Sequence, residues 1–317
     1  MQFCLGKRAA LALALCLGLI APALAAEGRA PDLYRKITDE QAEEADQFAL
    51  NNAIATVFHE AGHMLISEFN LPVLGREEDA ADSLATILLL EGEDEDMNSI
   101  AEDFANVWFL NAGLEDNDDL PFWDSHGLSE QRAYNVVCLM LGKNEERFKD
   151  FAASIDFPDY RREECKTEYG EMLESWNKLL EPHSAKDSDK IDFKIRYLPT
   201  KDPKLVYFRN MAKEAEVLET VVATFTGVYK LKDGIKLTAR ACGEANAFWN
   251  ADDREMTLCY EDLEQSARLD AQWYIDNPDD EAAGNDEKSS DDDKRSDDKR
   301  SDDRRSDDKR SDDNKRK

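Results

Sequence analysis

Apolar residues recur over residues 47–70 at the three- and four-residue steps of a helix with a buried face: Leu50, Ile54, Val57, Phe58, Ala61 and Leu65. No proline interrupts 51–70, so the spacing predicts one continuous helix, with the polar residues 27–46 as a short lead-in. Pro72 and Gly75 then break the pattern. A second helix is expected over 76–91, with Ala81, Ala85, Leu88 and Leu89 on its apolar side. An acidic loop at 92–98 leads to a helix at 100–111 carrying Phe104, Val107, Trp108 and Leu110. After more acidic loop, Ser129 stands where an N-cap would open a helix reaching Leu141, with Tyr134, Val137, Cys138 and Leu141 on one side. Helix resumes over 144–180 and stops before Pro182; His183 reads as surface.

The C-terminal half changes period. Phe193, Ile195 and Tyr197 alternate, as in a strand. Residues 204–230 read as a long amphipathic helix, 235–241 as a second strand, and 246–260 as a β-hairpin turning at 250–253. A closing helix begins at 261. The pattern is therefore α+β, mostly helical, with a small sheet or hairpin contributed by the C-terminal part. The polar stretch 184–190 marks a candidate sub-boundary within one domain spanning 27–276. Residues 277–317 repeat SDD(K/R)R and carry almost no apolar surface, so a low-complexity, disordered tail is expected there.

Charge narrows the choice of partners. The chain of 317 residues carries a net charge of −30. The tail is not its source, because 290–317 holds 11 Asp against 11 Lys and Arg. A strongly acidic folded part argues against nucleic-acid and anionic-membrane binding. A soluble acidic surface accounts for it, and a preference for basic substrates is the second reading. Lys7 and Arg8, the apolar run 9–20 and Ala23-Leu24-Ala25 have the form of a cleavable signal over 1–26. The run is too short to span a membrane, and Leu15 before Cys16 does not fit a lipoprotein signal. Periplasmic or secreted localisation follows, with no integral membrane segment. Cys138, Cys165, Cys242 and Cys259 remain after the signal. Of three pairings, Cys138–Cys165 and Cys242–Cys259 each stay within one local segment and are preferred; a Cys₄ metal site lacks any CxxC spacing.

The chemistry concentrates in the first helix. His59-Glu60-Ala61-Gly62-His63 is an HExxH motif, which puts two imidazoles one turn apart on one helix face, able to share one Zn²⁺, with Glu60 beside them. Two of the four histidines of the chain fall here. A three-ligand zinc site needs one more N or O donor. Glu78 and Asp82 stand one turn apart on the second helix. One can complete the ligand set while the other accepts the free N–H of a ligand histidine. Glu77 and Asp79 adjoin Glu78 and keep the third ligand open.

HExxH followed by ExxxD resembles the gluzincin branch of zinc metallopeptidases. The strings FHEAGHMLI, LPVLGREEDAADSLA and SEQRAYNVVCLMLG are similar to an uncharacterised bacterial family of zinc metallopeptidases, over roughly 45–180 with a further block near 240–262. The resemblance implies a zincin-like core, His59, His63 and Glu78 as metal ligands, Glu60 as general base, and Asp82 as the carboxylate behind a ligand histidine. Only 14 residues separate His63 from Glu78, shorter than is usual for gluzincins. His126 falls where such enzymes place a histidine that helps hold the oxyanion; as a loop residue it could equally order the acidic segment around Asp124. Arg132 and Tyr134 are lesser candidates. The segment ACGEANAFWNADDREMTLCYE looks like the aromatic hairpin that normally precedes HExxH in zinc peptidases, moved to the other end of the chain. It would bind an extended peptide by strand addition. The function expected is hydrolysis of peptide or protein substrates, with Zn²⁺ as cofactor. The alternative is a zinc-stabilised binding protein of the cell envelope that cleaves nothing, although such a protein has no need of Glu60.

Overall fold

The computed structural model describes residues 29–92, 95–116, 118–185 and 191–278. The expected signal segment and the repeat tail lie outside these residues. Eight α-helices and four strands are found among them: α1 (Asp39–Phe69), α2 (Glu77–Leu90), α3 (Glu95–Ala112), α4 (Ser129–Ser154), α5 (Asp159–Leu180), β1 (Lys194–Tyr197), α6 (Pro203–Glu214), α7 (Val217–Phe225), β2 (Lys236–Arg240), β3 (Ala247–Asn250), β4 (Glu255–Cys259) and α8 (Tyr260–Asp276). The architecture is α+β and mostly helical.

Helix α1 is the centre of the packing. It starts eight residues before the expected 47, at a capping box in which Thr38 Oγ1 accepts from Gln41 N–H and Gln41 Oε1 accepts from Thr38 N–H. It is not half-buried as its period implies. From Phe48 to Ile66 nearly every position is buried, because α2, α3, α7, α8 and the hairpin enclose it on all sides. It ends at Asn70, whose left-handed backbone (φ 50°) forms the cap, a conformation asparagine tolerates better than most residues.

Several boundaries differ from the pattern reading for local reasons. Ser129 is the first residue of α4 rather than its cap, and its hydroxyl instead donates to Glu115. Helix α4 runs through the expected gap after Leu141 and kinks at Asn144 (φ −154°, ψ 89°), whose Oδ1 accepts from Arg147 N–H and restarts the helix. The long helix expected over 204–230 is two helices, broken where Glu216 takes a left-handed conformation (φ 54°). His183 is only partly exposed and stacks on Phe69 at 4.1 Å between ring centroids.

The sheet has the order β1-β2-β4-β3. β1 and β4 both run parallel to β2, and β3 pairs antiparallel with β4, in register Ala247 with Leu258 and Asn250 with Glu255. The chain crosses from β1 to β2 through α6 and α7, and from β2 to β4 through the segment that carries β3. β3 is thus an edge strand, and it is the strand laid against α1. Trp249 Nε1 donates to Ser67 Oγ at 2.8 Å, and Arg254 grips Glu68 with two bonds of 2.6 and 2.8 Å. Disulfides join Cys138 to Cys165 and Cys242 to Cys259. The first staples α4 to α5; the second ties the loop after β2 to the end of β4.

Candidate metal centre and cleft

Close approach of α1 and α2 builds the site. A Cβ placed on Gly62 would lie 2.9 Å from Ala81 Cα and 3.1 Å from its Cβ, so only glycine lets the two helices sit this near. The contact falls between Glu78 and Asp82 on α2 and between His59 and His63 on α1. It therefore sets the distance between the two donor pairs.

Three histidines meet at one carboxylate oxygen. His59 Nε2, His63 Nε2 and His126 Nε2 lie 3.1, 3.2 and 3.0 Å from Glu78 Oε2. The Nε2 atoms of His59 and His63 are 3.2 Å apart. Each imidazole has its other nitrogen on a different carboxylate. His59 Nδ1 is 2.7 Å from Asp82, His63 Nδ1 is 2.8 Å from Glu77, and His126 Nδ1 is 3.1 Å from Asp124. These carboxylates hold the protons on Nδ1, so the Nε2 lone pairs face inward. Lone pairs at van der Waals distance around a carboxylate oxygen repel unless a positive charge lies among them. His59, Glu78 and His126 offer donor atoms that all lie within 4.8 Å of one another, and His63 Nε2 lies 3.2 Å from the donor atoms of His59 and Glu78. The arrangement can hold a metal ion.

The electrostatics agree. Burial works against a charged His59, but the bonds to Asp82 and Glu78 outweigh it and bring its pKa up to about 9. His63 is raised in the same way, burial being outweighed by Glu78 and Glu77. His126 is raised chiefly by Glu78. Glu78 is held well below the carboxylate range: burial opposes ionisation, but the three histidines overcome it. The cluster favours positive charge at its centre, whether a proton or a metal ion carries it.

Behind His59 runs a buried chain of contacts. Asp82 accepts from Arg132 Nε and Nη2, both at 2.7 Å, and the Arg132 guanidinium lies 3.5 Å from the centroid of Trp108. Despite burial, Arg132 and His59 hold Asp82 at a pKa of about 2. Asp82 is thus a permanent acceptor for His59 Nδ1–H.

Glu60 is 5% exposed and opens onto a cleft of about 450 Å³. Burial raises its pKa; His59, His63 and a backbone N–H from Trp249 pull the other way, and Glu78 adds to the rise. A buried carboxylate of raised pKa beside a metal-binding cluster can take a proton from water. The cleft is lined by α1, α3, α8, the loop carrying His126 and the start of β3. Asp262 of α8 also lines it, its carboxyl raised to about 7 by burial and by Glu60.

A family model described as "Putative metallopeptidase" matches residues 24–180 and 197–288. The chain belongs to that metallopeptidase family. Both matched segments build the site, the first supplying the histidine cluster and the second β3 and α8. No curated protein and no solved structure gives a significant match.

Of the residues singled out in the sequence of this metallopeptidase-family chain, His59, His63, Glu78, Asp82, Glu60 and His126 come together in the structure. Glu77, left open in the sequence as a third ligand, is the partner of His63 Nδ1. Arg132 acts on the site through Asp82, 50 residues away in sequence, and its helical period gave no sign of that. Asp124, named in the sequence beside His126, is its partner through both Nδ1 and the backbone N–H; Asp262 could have been found only from the fold, because it lies on a helix that meets the site from the far end of the chain.

Proposed function

We propose that this protein is an exported zinc-dependent peptidase with a zincin-like core. In this reading His59, His63 and Glu78 hold Zn²⁺ and Glu60 is the general base. The observation that carries it is the convergence of histidine Nε2 atoms on Glu78 Oε2 with every Nδ1 already engaged. Donors about 2.0–2.1 Å from a tetrahedral zinc stand roughly 3.3 Å apart, and the separations among His59, His63 and Glu78 are 3.1 and 3.2 Å. Zinc supplies Lewis-acid polarisation of the scissile carbonyl and makes a water acidic enough to lose its proton near neutral pH. Glu60 takes that proton and returns it to the departing amine. The outer edge of β3, where Trp249 N–H meets Glu60, would offer its other main-chain groups to an extended peptide. Support for export comes from the two disulfides, which fit an oxidising compartment, and from the form of residues 1–26.

One observation favours the non-catalytic alternative. His126 Nε2 reaches Glu78 as closely as the other two histidines do, and four protein donors would close the site as in structural zinc centres. Against it, the His126 side chain is 44% exposed on a loop, and Glu60 borders an open cleft. In the peptidase reading His126 steadies the oxyanion. Metal-loaded protein should cleave unfolded casein, chelation should stop it, and Glu60→Gln should bind zinc normally while losing at least about 100-fold in turnover. His126→Ala should keep stoichiometric zinc and lose activity. Full turnover by Glu60→Gln would refute Glu60 as the base; no cleavage by the metal-loaded protein, or loss of zinc from His126→Ala, would count for the alternative.

A further inference from the structure

The cleft beside Glu60 holds acceptors with nothing to accept from. It runs along α1 from Glu60 to Asn52, two helical turns and about 12 Å, a depth suited to a long side chain. Phe104, Val107 and the ring of Trp108 on α3 form a mostly apolar wall, in which Trp108 Nε1 is a buried donor without a hydrogen-bond partner among the described residues. Asn52 is 2% exposed; its Nδ2 donates to Phe48 O at 2.9 Å, which fixes the amide, and Oδ1 has no hydrogen-bond partner among the described residues. Asp262 lines the same cleft and has neither a hydrogen bond nor an ion pair among them, and the like charge of Glu60 acts on it. Arg132 is spent on Asp82, and the two histidines of the lining, His59 and His126, are spent on Glu78 and on Asp82 and Asp124.

A neutral apolar side chain would bury Asp262 and Asn52 Oδ1 without donors, which is costly. An ammonium or guanidinium brings both donors and charge, and its aliphatic stem packs on the α3 wall. We infer that this cleft is the side-chain subsite of the peptidase and selects a lysine or arginine next to the scissile bond, with Asp262 as the charge partner and Asn52 at the deep end. The inference rests on the peptidase reading above and names the substrate class of that same site.

The test maps cleavage sites in unfolded casein by mass spectrometry with metal-loaded enzyme. Lysine or arginine should occupy one fixed position beside the cut, at least tenfold above their frequency in the substrate. In Asp262→Asn this ratio should fall toward one, and in Asp262→Lys it should turn toward aspartate and glutamate. Cleavage without basic preference, or a preference unmoved by both substitutions, overturns the inference while leaving the peptidase intact. Should no substrate be cut, the peptidase reading fails, and the cleft is judged by calorimetry with Nα-acetyl-lysinamide and Nα-acetyl-norleucinamide. At least tenfold tighter binding of the lysine compound, lost in Asp262→Asn, upholds a cation-selective cleft; equal binding refutes it.

Discussion

Replacing Gly62 by alanine tests whether the closeness of α1 and α2 is what makes the metal site. The added methyl would meet Ala81 Cα at 2.9 Å and Ala81 Cβ at 3.1 Å, both backbone-anchored. Carbon atoms rest about 3.5–4.0 Å apart, so α2 must retreat by roughly 0.6 Å at this point. Overpacking of that kind costs about 1–3 kcal/mol, which corresponds to a fall in Tm of roughly 3–10 °C for a domain of this size. Ala81 lies between Glu78 and Asp82, so the retreat carries both carboxylates away from His59 and His63. Metal sites tolerate displacements of about 0.5 Å, and zinc affinity should drop on the order of 10–100-fold, as when a supporting carboxylate is lost. Zinc affinity is measured by competition with a chromophoric chelator, and stability by thermal melting with and without metal. Gly170→Ala is the control: its Cβ meets nothing within 4 Å on the exposed side of α5, so it should be neutral or slightly stabilising. Wild-type zinc affinity and Tm in Gly62→Ala would refute the spacing argument.

Arg132→Met should lower zinc affinity at least tenfold and destabilise the fold by about 3–5 kcal/mol, because it leaves a buried Asp82 unpaired; Arg132→Lys should not restore it, since lysine cannot make the two-bond contact. Denaturant titration and chelator competition check both, and an unperturbed Arg132→Met would contradict the role assigned to Asp82. A separate pH effect is expected from the acids between α3 and α8. Burial and the charges of Asp103 and Glu44 raise Asp270 to about 7, and burial with the charge of Glu102 raises Asp103 to about 6 against the bond from Asn51. The folded state keeps protons there that the unfolded chain releases near its ordinary carboxylate pKa, so stability should fall as pH rises from about 4 to 7 and then level off. Asp270→Asn should accordingly raise Tm at pH 8 and change little at pH 4; the same gain at both values would count against it.

How much of this was legible in the sequence depends on whether the information is local. The HExxH helix, the second helix with Glu78 and Asp82, and the β-hairpin rest on periodicity and turn residues within short windows, and the structure contains all three elements. The early start of α1 is written in Thr38-x-x-Gln41, the capping-box signature, but hydrophobic periodicity misses it because the first turns are polar and mostly exposed. The break at Glu216 has no Gly or Pro to announce it. The parallel alignment of β1 with β2 depends on a crossover through two helices, and that of β4 with β2 on β3 taking the outer edge; strand alternation carries no signal for either.

The site divides along the same line. His59, Glu60 and His63 announce themselves by spacing, and Glu78 with Asp82 by one helical turn. The pairing of His63 with Glu77 depends on how α2 is rotated against α1. Arg132 reaches Asp82 from a different helix, and Asp262 reaches the cleft only because α8 packs back along α1. The position of His126 in sequence left two roles open. The fold adds a third, proximity to Glu78, which the His126→Ala experiment separates from the others.

The central claim is that His59, His63 and Glu78 hold a zinc ion beside Glu60. The most direct measurement is anomalous diffraction at the zinc edge from crystals of the metal-loaded protein. One ion per chain is predicted, about 2.0–2.1 Å from His59 Nε2, His63 Nε2 and a Glu78 oxygen, with Asp82 on His59 Nδ1 and outside bonding distance of the metal. An ion bound instead by Glu77 or Asp79, or no anomalous peak at the histidine cluster after loading with stoichiometric zinc, would contradict the account.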